Sequence, residues 1–311
     1  MTASERHPHS PNTDACDGIK FSHHIVAVID FLGQAAELAK WDALPNTPKE
    51  VASVQGAVRD TFGRIMLWRG QFEKYFNLWL SDYQLPDWVA DVAPDGGDAL
   101  KKFQETSIGF SHFSDTIVVY SPIENRHGHL SLGGTCGFIV TCGTLMLAAL
   151  NQKTVFRGGI EIGMAGCFPQ ADIYGPVLAK AHYLESKVAD YPRIVVGATL
   201  VSYLQAHAKN PDDTREARAN RGTASLCLRL LTCDSDGCWI IDYLGDEFSR
   251  LGTNPKGWQK LRSDAHAFVD AEFARFDQEG NKKLAQRYER LQAYFRLRGF
   301  PPPAARSNGE S

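Results

Sequence analysis

The chain has 311 residues, with 33 basic and 36 acidic side chains and a formal net charge of −3. Because these charges are spread along the chain, they argue against a nucleic-acid groove as its main function. Hydrophobic residues make up 43% and charged residues 22%, which is typical of a folded globular protein. No run approaches the roughly 18 apolar residues that span a bilayer, and the first residues lack the apolar stretch of a secretory signal. We therefore expect a soluble cytoplasmic protein that binds neither nucleic acid nor membrane.

The spacing of apolar residues predicts alternating strands and helices in the first two thirds of the chain. The continuous apolar run from Ile25 to Phe31 predicts a central strand that is buried on both faces. Apolar residues at every third or fourth position from Val51 to Trp79 predict one long amphipathic helix. This order favours an α+β sandwich with its helices on one face of the sheet. The pattern also predicts strands at 107–110, 116–120, 155–163 and 193–196 and helices at 132–150 and 173–188.

The composition divides the chain into four regions. The polar residues 1–20 are typical of a flexible N-terminal arm, and residues 299–311 of a disordered tail. Residues 21–200 contain the elements above and form the main predicted domain. Residues 201–298 are expected to be an appendage packed on it. The appendage is predicted to contain a charged loop at 208–222, a hairpin of 227–231 with 239–243, and two final helices.

Two aspartates stand at the ends of predicted strands. Asp30 closes the first strand and Asp115 opens a later one. Two carboxylates that are buried near each other repel and lose their hydration, unless cations neutralise them. On adjacent strands they could hold two Mg²⁺ or Mn²⁺ ions roughly 4 Å apart, with the carbonyl oxygen of Phe31 as a further ligand. The alternative is that Asp30 caps a following helix and that Asp115 lies in a turn.

An arginine, Arg157, lies near one end of the strand predicted at 155–163. Its planar guanidinium can contact two phosphate oxygens at once, which makes it a candidate phosphate ligand. Taken by itself, an ordinary surface ion pair is the alternative interpretation.

Four segments, in this order, resemble the catalytic domain of class III nucleotidyl cyclases over residues 24–197. The resemblance implies a ferredoxin-like class III nucleotidyl cyclase sandwich within residues 21–200, here with a C-terminal hairpin and helical extension. It implies that Asp30 and Asp115 bind two Mg²⁺ or Mn²⁺ ions, and that the active sites lie between the two protomers of a homodimer. The four segments are IVAVIDFLG, FSDTIVVY, FRGGIEIG and DIYGPVLAKAHYLES.

The same resemblance assigns nucleotide-binding positions. Asp172 stands where the family carries an aspartate that reads the base. Phe31, Leu32 and Gly33 follow the first metal-binding aspartate, and they are the other nucleotide-binding positions that the resemblance implies.

The chain departs from the purine-specific members of this family at three positions. Ser111 stands where they carry a base-reading lysine, and Ala179 and Tyr183 stand where they carry a transition-state asparagine and arginine. The chain is similar instead to the pyrimidine cyclases of the bacterial antiphage systems called Pycsar, which keep the metal-binding aspartates but not the purine-reading set. The segments that carry this likeness are RGGIEIG, IYGPVLAKAHYLES, YPRIVV and DGCWIIDYL.

This second likeness implies a uridylate cyclase that converts UTP into 3′,5′-cyclic UMP and diphosphate, a messenger that activates a downstream effector in antiviral defence. The metal ions would activate the ribose 3′-hydroxyl for in-line attack on the α-phosphorus, and Arg157 would add positive charge at the phosphates. Tyr183 is a candidate contact to the base or sugar, with packing in the core as the alternative. Three other functions stay open: a cytidylate cyclase that makes cyclic CMP, a purine cyclase, and a catalytically silent cyclase-like module that binds a nucleotide and signals.

Overall fold

The α+β class predicted from the sequence is confirmed. Within the described residues the chain forms eight α-helices and an eight-stranded mixed sheet. Gly33, nearly all of the predicted arm at 1–20 and most of the predicted tail at 299–311 lie outside those residues. The structure, a computed structural model, describes residues 19–32, 44–82, 106–124, 130–168, 172–251 and 254–301.

The elements are numbered here in chain order. The strands are β1 (Lys20–Phe31), β2 (Gly109–Phe113), β3 (Thr116–Pro122), β4 (Phe156–Cys167), β5 (Ile173–Tyr174), β6 (Ile194–Val196), β7 (Leu231–Cys233) and β8 (Trp239–Ile241). The helices are α1 (Pro48–Asp82), α2 (Leu132–Asn151), α3 (Pro176–Tyr183), α4 (Ala198–Ala208), α5 (Arg215–Arg229), α6 (Asp246–Leu251), α7 (Pro255–Gln278) and α8 (Lys282–Leu297). A π-helical turn, Leu184–Val188, continues α3.

The sheet is built around β1. Its strands are ordered β2-β3-β1-β4-β6-β8-β7, and the short β5 pairs with β4. β1 lies between β3 and β4 and is antiparallel to both. Residues Ile25–Ile29 of β1 are at most 1% exposed. The prediction of a central strand buried on both faces is therefore confirmed, although the strand begins earlier than its apolar run, at Lys20.

Alternate residues of β1 face two different hydrophobic layers. The odd-numbered residues from Ile25 to Phe31 belong to a large core that includes α1 and α2. Val26 and Val28 belong to a smaller cluster on the other face, where they meet Val177 and Ala181 of α3. The expectation that all helices cover one face is wrong, because the apolar side of α3 is buried against the opposite face.

The long helix α1 contributes to the core through its second half. Trp68, Phe72 and Phe76 are 1% exposed and pack in the large core. Val58 and Phe62, earlier in the same apolar stripe, are 50% and 48% exposed. The predicted amphipathic helix is confirmed, but only the second half of its apolar stripe is buried in the core.

The prediction of a loop over residues 208–222 is wrong. Helix α5 begins there at Arg215, directly after Thr214. The Thr214 side chain accepts a hydrogen bond from the Ala217 N–H (3.2 Å), which caps the helix. Pro211 and the two aspartates after it precede the helix, whereas arginine, glutamate and alanine, which favour helix, begin at 215. A high density of charge was therefore a poor indicator of a loop in this segment.

The second hairpin is shorter than predicted and extends the same sheet. Cys227 lies in α5, so the hairpin consists of β7 and β8. β8 pairs antiparallel with β6, which joins the hairpin to the sheet of the main domain. In the described residues after β8 there are three helices, α6 to α8, rather than the two expected.

Helix α2 is the most apolar helix of the described chain. By length and composition it could cross a membrane, so the expectation that no segment approaches such a run is wrong. However, 83% of its apolar stretch is buried inside the structure, where it contacts α1, α5 and α7. This burial is typical of a core helix, so the structure looks like that of a soluble protein.

Candidate active site

Three neighbouring strands place polar side chains at one level of the sheet. Asp30 of β1 is opposite Thr116 of β3 on one side and Arg157 of β4 on the other. Side chains that are directly opposite in antiparallel strands point to the same face, here the face covered by α3. The Arg157 Nε donates a hydrogen bond to Asp30 Oδ2 (3.0 Å), and the Thr116 hydroxyl donates one to Asp30 Oδ1 (3.5 Å). The sheet therefore holds the Asp30 carboxylate between two donors.

The turn before β3 places Asp115 beside this carboxylate. Ser114 adopts a left-handed backbone conformation (φ 56°) in the turn, and the Phe31 N–H donates a hydrogen bond to the Asp115 carbonyl oxygen (3.4 Å). Burial raises the pKa of Asp30, Arg157 lowers it, and the negative charge of Asp115 raises it further. The structure thus brings the two predicted aspartates close enough for their carboxylates to repel each other, with Asp115 in a turn.

A third carboxylate, Glu185 from the π-helical turn, completes the cluster. Glu185 Oε1 forms an ion pair with Arg157 Nη2 (2.9 Å), and Glu185 Oε2 lies 3.4 Å from His182 Nδ1. The Glu185 side chain is 3% exposed. Burial raises its pKa, as do the charges of Asp30 and Asp115, while Arg157 and His182 lower it. Arg157 therefore links two buried acids, so the alternative of an ordinary surface ion pair does not describe it.

The sequence analysis missed Glu185, and a close approach of backbone explains its position. A Cβ atom at Gly159 of β4 would lie 2.3 Å from the Ala181 carbonyl oxygen, so only glycine lets α3 approach the strand this closely. The apolar stripe predicted for the helix at 173–188 continued through Leu184 and Val188. The π-helical turn inserts a residue there, and Glu185 faces the sheet. The available signal was its spacing of four from the buried Ala181.

Of the three residues after Asp30 that were predicted to bind nucleotide, the structure describes Phe31 and Leu32. The Phe31 side chain is 2% exposed and packs edge-on against Phe156, with 4.6 Å between ring centroids. The N–H of Leu32 donates a hydrogen bond to the Val155 carbonyl oxygen (3.0 Å). Gly33, the third of these predicted nucleotide-binding positions, lies outside the described residues.

The predicted base-reading position forms a second polar site, separate from the Asp30 cluster. The Ser111 hydroxyl donates a hydrogen bond to Asp172 Oδ1 (3.2 Å). Ser111 is opposite Val118 on β3, two residues along from Thr116 and so from the level of Asp30. The structure therefore joins Ser111 to Asp172, the two positions that the family resemblance relates to the base. This pair lies at a different level of the sheet from Asp30.

Tyr183 and Ala179 both lie on the exposed side of α3. Tyr183 is 61% exposed, and Ala179, four residues earlier, is also exposed. The alternative that Tyr183 packs in the core of this chain is therefore wrong. Its ring is available to a ligand or to a second protein molecule.

The cluster supplies carboxylate oxygens, which are the type of donor that a hard divalent cation prefers. The carboxylates of Asp30, Asp115 and Glu185 act electrostatically on one another, and Arg157 pairs with two of them. Glu185 Oε1 is buried and accepts no hydrogen bond of good geometry from the described residues. Carboxylate oxygens with uncompensated charge suit Mg²⁺ or Mn²⁺. Within the described residues, however, no group of three or more His, Cys, Asp or Glu side chains has the arrangement of a metal site.

Comparison of the chain with protein-family models gave no match, and comparison with curated proteins gave none either. The case for a function therefore depends on the geometry of the site together with the resemblance of the four sequence segments.

Proposed function

We propose that the chain is a metal-dependent nucleotidyl cyclase that converts UTP into 3′,5′-cyclic UMP and diphosphate. The observation that carries the proposal is the juxtaposition of Asp30 and Asp115. They lie at the same end of two antiparallel neighbouring strands, close enough for the charge of Asp115 to raise the pKa of Asp30. Arg157 lies next to them and pairs with Asp30. Acids in this arrangement, with an arginine beside them, suit the handling of a metal-bound triphosphate.

The topology supports the class III cyclase fold within this proposal. The first four strands are ordered β2-β3-β1-β4, with α1 between β1 and β2 in the chain and α2 between β3 and β4. Each neighbouring pair is antiparallel. This is the β-α-β-β-α-β arrangement of ferredoxin-like domains. Because such folds host many functions, the topology supports the proposal only together with the site.

The chemistry can be divided between the metal and the protein. Divalent cations at Asp30 and Asp115 would supply positive charge to the triphosphate and lower the pKa of the ribose 3′-hydroxyl. The protein orients the reactants so that the 3′-oxygen bonds to the α-phosphorus while the bond to diphosphate breaks. Arg157 is held in one orientation by Asp30 and Glu185, so its remaining guanidinium N–H groups can face a phosphate oxygen without reorganisation.

Several parts of the proposal depend mainly on the resemblance. These are a pyrimidine base, a homodimer with active sites between the protomers, a cytoplasmic location, and a downstream effector that responds to the cyclic nucleotide in antiviral defence. The Ser111–Asp172 hydrogen bond supports a pyrimidine base, because a serine hydroxyl beside Asp172 takes the place of the lysine that purine-specific cyclases carry beside their aspartate. A cytidylate cyclase is the nearest alternative.

A catalytically silent cyclase-like module is the second candidate function. The observation that favours it is the exposed pair of Ala179 and Tyr183 on α3, where catalytic cyclases are expected to carry an asparagine and an arginine. Such a module would bind a nucleotide and signal through a partner without forming a cyclic product.

A product assay tests the proposal. The purified chain is incubated with each of the four nucleoside triphosphates and Mn²⁺ or Mg²⁺, and the products are identified by mass spectrometry. We expect cyclic UMP and diphosphate from UTP. Asp30→Asn and Asp115→Asn should each lower the rate about a hundredfold or more. Asp60→Asn, at an exposed position of α1, is the matched control and should leave it unchanged.

The outcomes separate the candidates. Cyclic CMP as the main product would favour the cytidylate cyclase. Nucleotide binding without any cyclic product, together with a biological effect that survives Asp30→Asn, would favour the silent module. Product formation that both aspartate variants retain would contradict the assignment of these residues.

A further inference from the structure

A cavity of about 540 Å³ opens on the sheet at the end of β1 that is opposite to Asp30. Lys20, Ser22 and His24 line it from β1, and because they are alternate residues of one strand, they lie on the same face as Asp30. The six residues from His24 to Asp30 correspond to about 20 Å along a strand. None of the residues of the Asp30 cluster lines the cavity, so it is separate from the candidate active site. The other walls include residues 106–109, Tyr120 and Cys167.

Two buried aromatic rings form one wall of the cavity. Tyr120 is 6% exposed and His24 is 4% exposed, and their rings meet edge-on with 6.1 Å between the centroids. A Cβ atom at Gly109 of β2, which lines the same cavity, would lie 2.3 Å from the Tyr120 Cζ. Only glycine therefore lets the tyrosine ring lie against the β2 backbone at this point. The glycine and the two packed rings give the cavity a wall of fixed shape.

The hydrogen bonds of His24 keep this wall neutral. Its Nδ1 lies 3.1 Å from the Ser22 carbonyl oxygen, and since a carbonyl only accepts, Nδ1 carries the proton. The Nε2 atom is then the acceptor, and the Cys167 thiol, whose Sγ lies 3.3 Å away, is the donor. Burial lowers the pKa of His24 and raises the pKa of Cys167 and of Tyr120. All three side chains are therefore uncharged at pH 7.

The charged residues of the cavity stand at its rim. Lys20 and Glu124 are both exposed, and the other described residues that line the cavity are uncharged at pH 7. A charged ligand at the aromatic wall would lose water without gaining a counter-ion there. A purely apolar ligand would cover the hydroxyl groups of Ser22 and Ser107, which also line the cavity, without replacing their hydrogen bonds to water. The walls therefore favour a neutral ligand with an aromatic face and polar edges.

We propose that this cavity binds a neutral, planar nitrogen heterocycle of the size of a nucleobase, at a site distinct from the Asp30 cluster. Aromatic side chains pack face-on or edge-on against such rings. The ring nitrogens and carbonyl oxygens of the ligand can exchange hydrogen bonds with the Ser22 and Ser107 hydroxyl groups. The cavity volume also lies within the range of small-molecule sites, about 300–1,000 Å³. Binding here is independent of cyclase activity, because the site shares no residue with the Asp30 cluster.

Protection of a thiol locates the ligand in the purified full chain. The cysteines are alkylated with iodoacetamide with and without uracil or adenine, and the rate at each cysteine is followed by peptide mass spectrometry. At a base concentration ten times its Kd, we expect the alkylation of Cys167 to slow about tenfold, because the free fraction of the site falls by that factor. Cys233, which is exposed and outside the cavity, should react at an unchanged rate. Benzoate and benzylamine, charged single rings of similar size, should protect Cys167 less.

Calorimetric titration of uracil provides a second measurement. Ser22→Phe fills the cavity from β1, since aromatic residues are favoured in strands, and should raise the Kd about tenfold or more. Ser53→Phe, at an exposed position of α1, is the matched control and should bind as the wild type does. Asp30→Asn should also bind uracil unchanged. Should Ser22→Phe lower the melting temperature, Ser107→Trp, from the exposed part of the wall, is titrated in its place.

The outcomes separate this site from the proposed function. Absence of base binding to the wild type, or a Kd within about twofold of wild type in both Ser22→Phe and Ser107→Trp, would overturn the site even in a chain that makes cyclic UMP. Tighter binding of benzoate or benzylamine than of uracil would overturn the neutral ligand. Loss of uracil binding in Asp30→Asn would overturn a site distinct from the Asp30 cluster. Base binding that protects Cys167, in a chain that forms no cyclic nucleotide, would support the site and count against the cyclase.

Discussion

Asp30 and Glu185 are both carboxyl groups whose pKa is raised by burial, although both are paired with Arg157. Removing water from a carboxylate destabilises its charged form, and an ion pair offsets this effect only in part. The two acids therefore keep their negative charge in an unfavourable environment. A bound cation would relieve this cost, which is consistent with a site shaped for a ligand rather than for stability.

The stability of the chain should reveal this cost at Glu185. Because its pKa is raised above the ordinary value of 4.5, the folded chain binds this proton more tightly than the unfolded chain does. The contribution of Glu185 to the free energy of unfolding is therefore largest below pH 4.5 and falls as the pH rises through the interval above it. Glu185→Gln does not titrate there. At pH 7 with EDTA we expect this variant to be at least as stable as wild type, because the buried negative charge is removed while Arg157 keeps its pair with Asp30.

The measurement is urea denaturation of both proteins between pH 4 and pH 7. The difference in unfolding free energy should shift in favour of Glu185→Gln as the pH rises, because the variant has no carboxyl group at this position that must ionise in a buried environment. Glu289→Gln, at an exposed position of α8, is the control and should follow the wild-type profile. A variant that becomes progressively less stable than wild type towards pH 7 would show that the Arg157 pair outweighs burial.

Part of the site could be predicted residue by residue. Asp30 and Arg157 flank strands with strong apolar runs, and strand pairing then brings them to the same level. Asp115 could be predicted because a short turn connects its strand to β2. Glu185 was missed although it stands four residues after the buried Ala181, because the apolar stripe was followed through Leu184 and Val188, where the π-helical turn shifts the helical period.

At the scale of elements, the contact between α3 and β4 determines the site. Gly159 lets the helix lie against the strand, since a Cβ there would be 2.3 Å from the Ala181 carbonyl oxygen and 2.5 Å from the Leu184 Cβ. The turn that carries Glu185 continues directly from this contact. Any displacement of α3 therefore moves Glu185 away from Arg157.

Gly159→Ala should both destabilise the chain and impair the site. Backbone atoms of the helix would have to shift, so we expect a loss of about 3 kcal/mol in unfolding free energy, measured by urea denaturation. Cyclic-nucleotide formation should fall as Glu185 is displaced. Gly63→Ala is the matched control, because nothing lies within 4 Å of a Cβ at this position of α1. It should stabilise the chain by about 0.5–1 kcal/mol. Equal stability of the two variants would contradict a close contact at Gly159.

The elements differ in how far the sequence could predict them. Helix α2 has a long apolar run and was predicted almost to its bounds, whereas β1 was predicted only from Ile25, because Lys20–His24 precede its apolar run. Helix α5 was missed because its first half is rich in arginine, and because Pro211 and two aspartates precede it. The side of the sheet that α3 covers could not be predicted, since periodicity identifies an apolar side but not the layer that it meets.

At the scale of the whole molecule, the C-terminal third shares the sheet and the core of the rest. The large core contains residues from Ile25 of β1 to Phe295 of α8. A buried charge network reinforces this connection just before β6. Arg193, 1% exposed, pairs there with Asp234 and with Asp236 (2.5 Å) of the β7–β8 turn. The main domain and the predicted appendage are therefore joined both by apolar packing and by a buried guanidinium.

Replacing Arg193 by methionine should destabilise the entire chain in one step. The substitution leaves Asp234 and Asp236 without their buried partner, which costs about 3–5 kcal/mol. Arg275→Met is the control, because its ion pairs with Glu272 and Glu279 lie at the surface of α7, and it should cost less than about 1 kcal/mol. Urea unfolding is followed by tryptophan fluorescence and circular dichroism. We expect coincident single transitions in both proteins, at a lower urea concentration for Arg193→Met. If Arg193→Met instead unfolded in two separate transitions, and the second lay at the same urea concentration as in the wild type, residues 201–298 would fold as an independent unit.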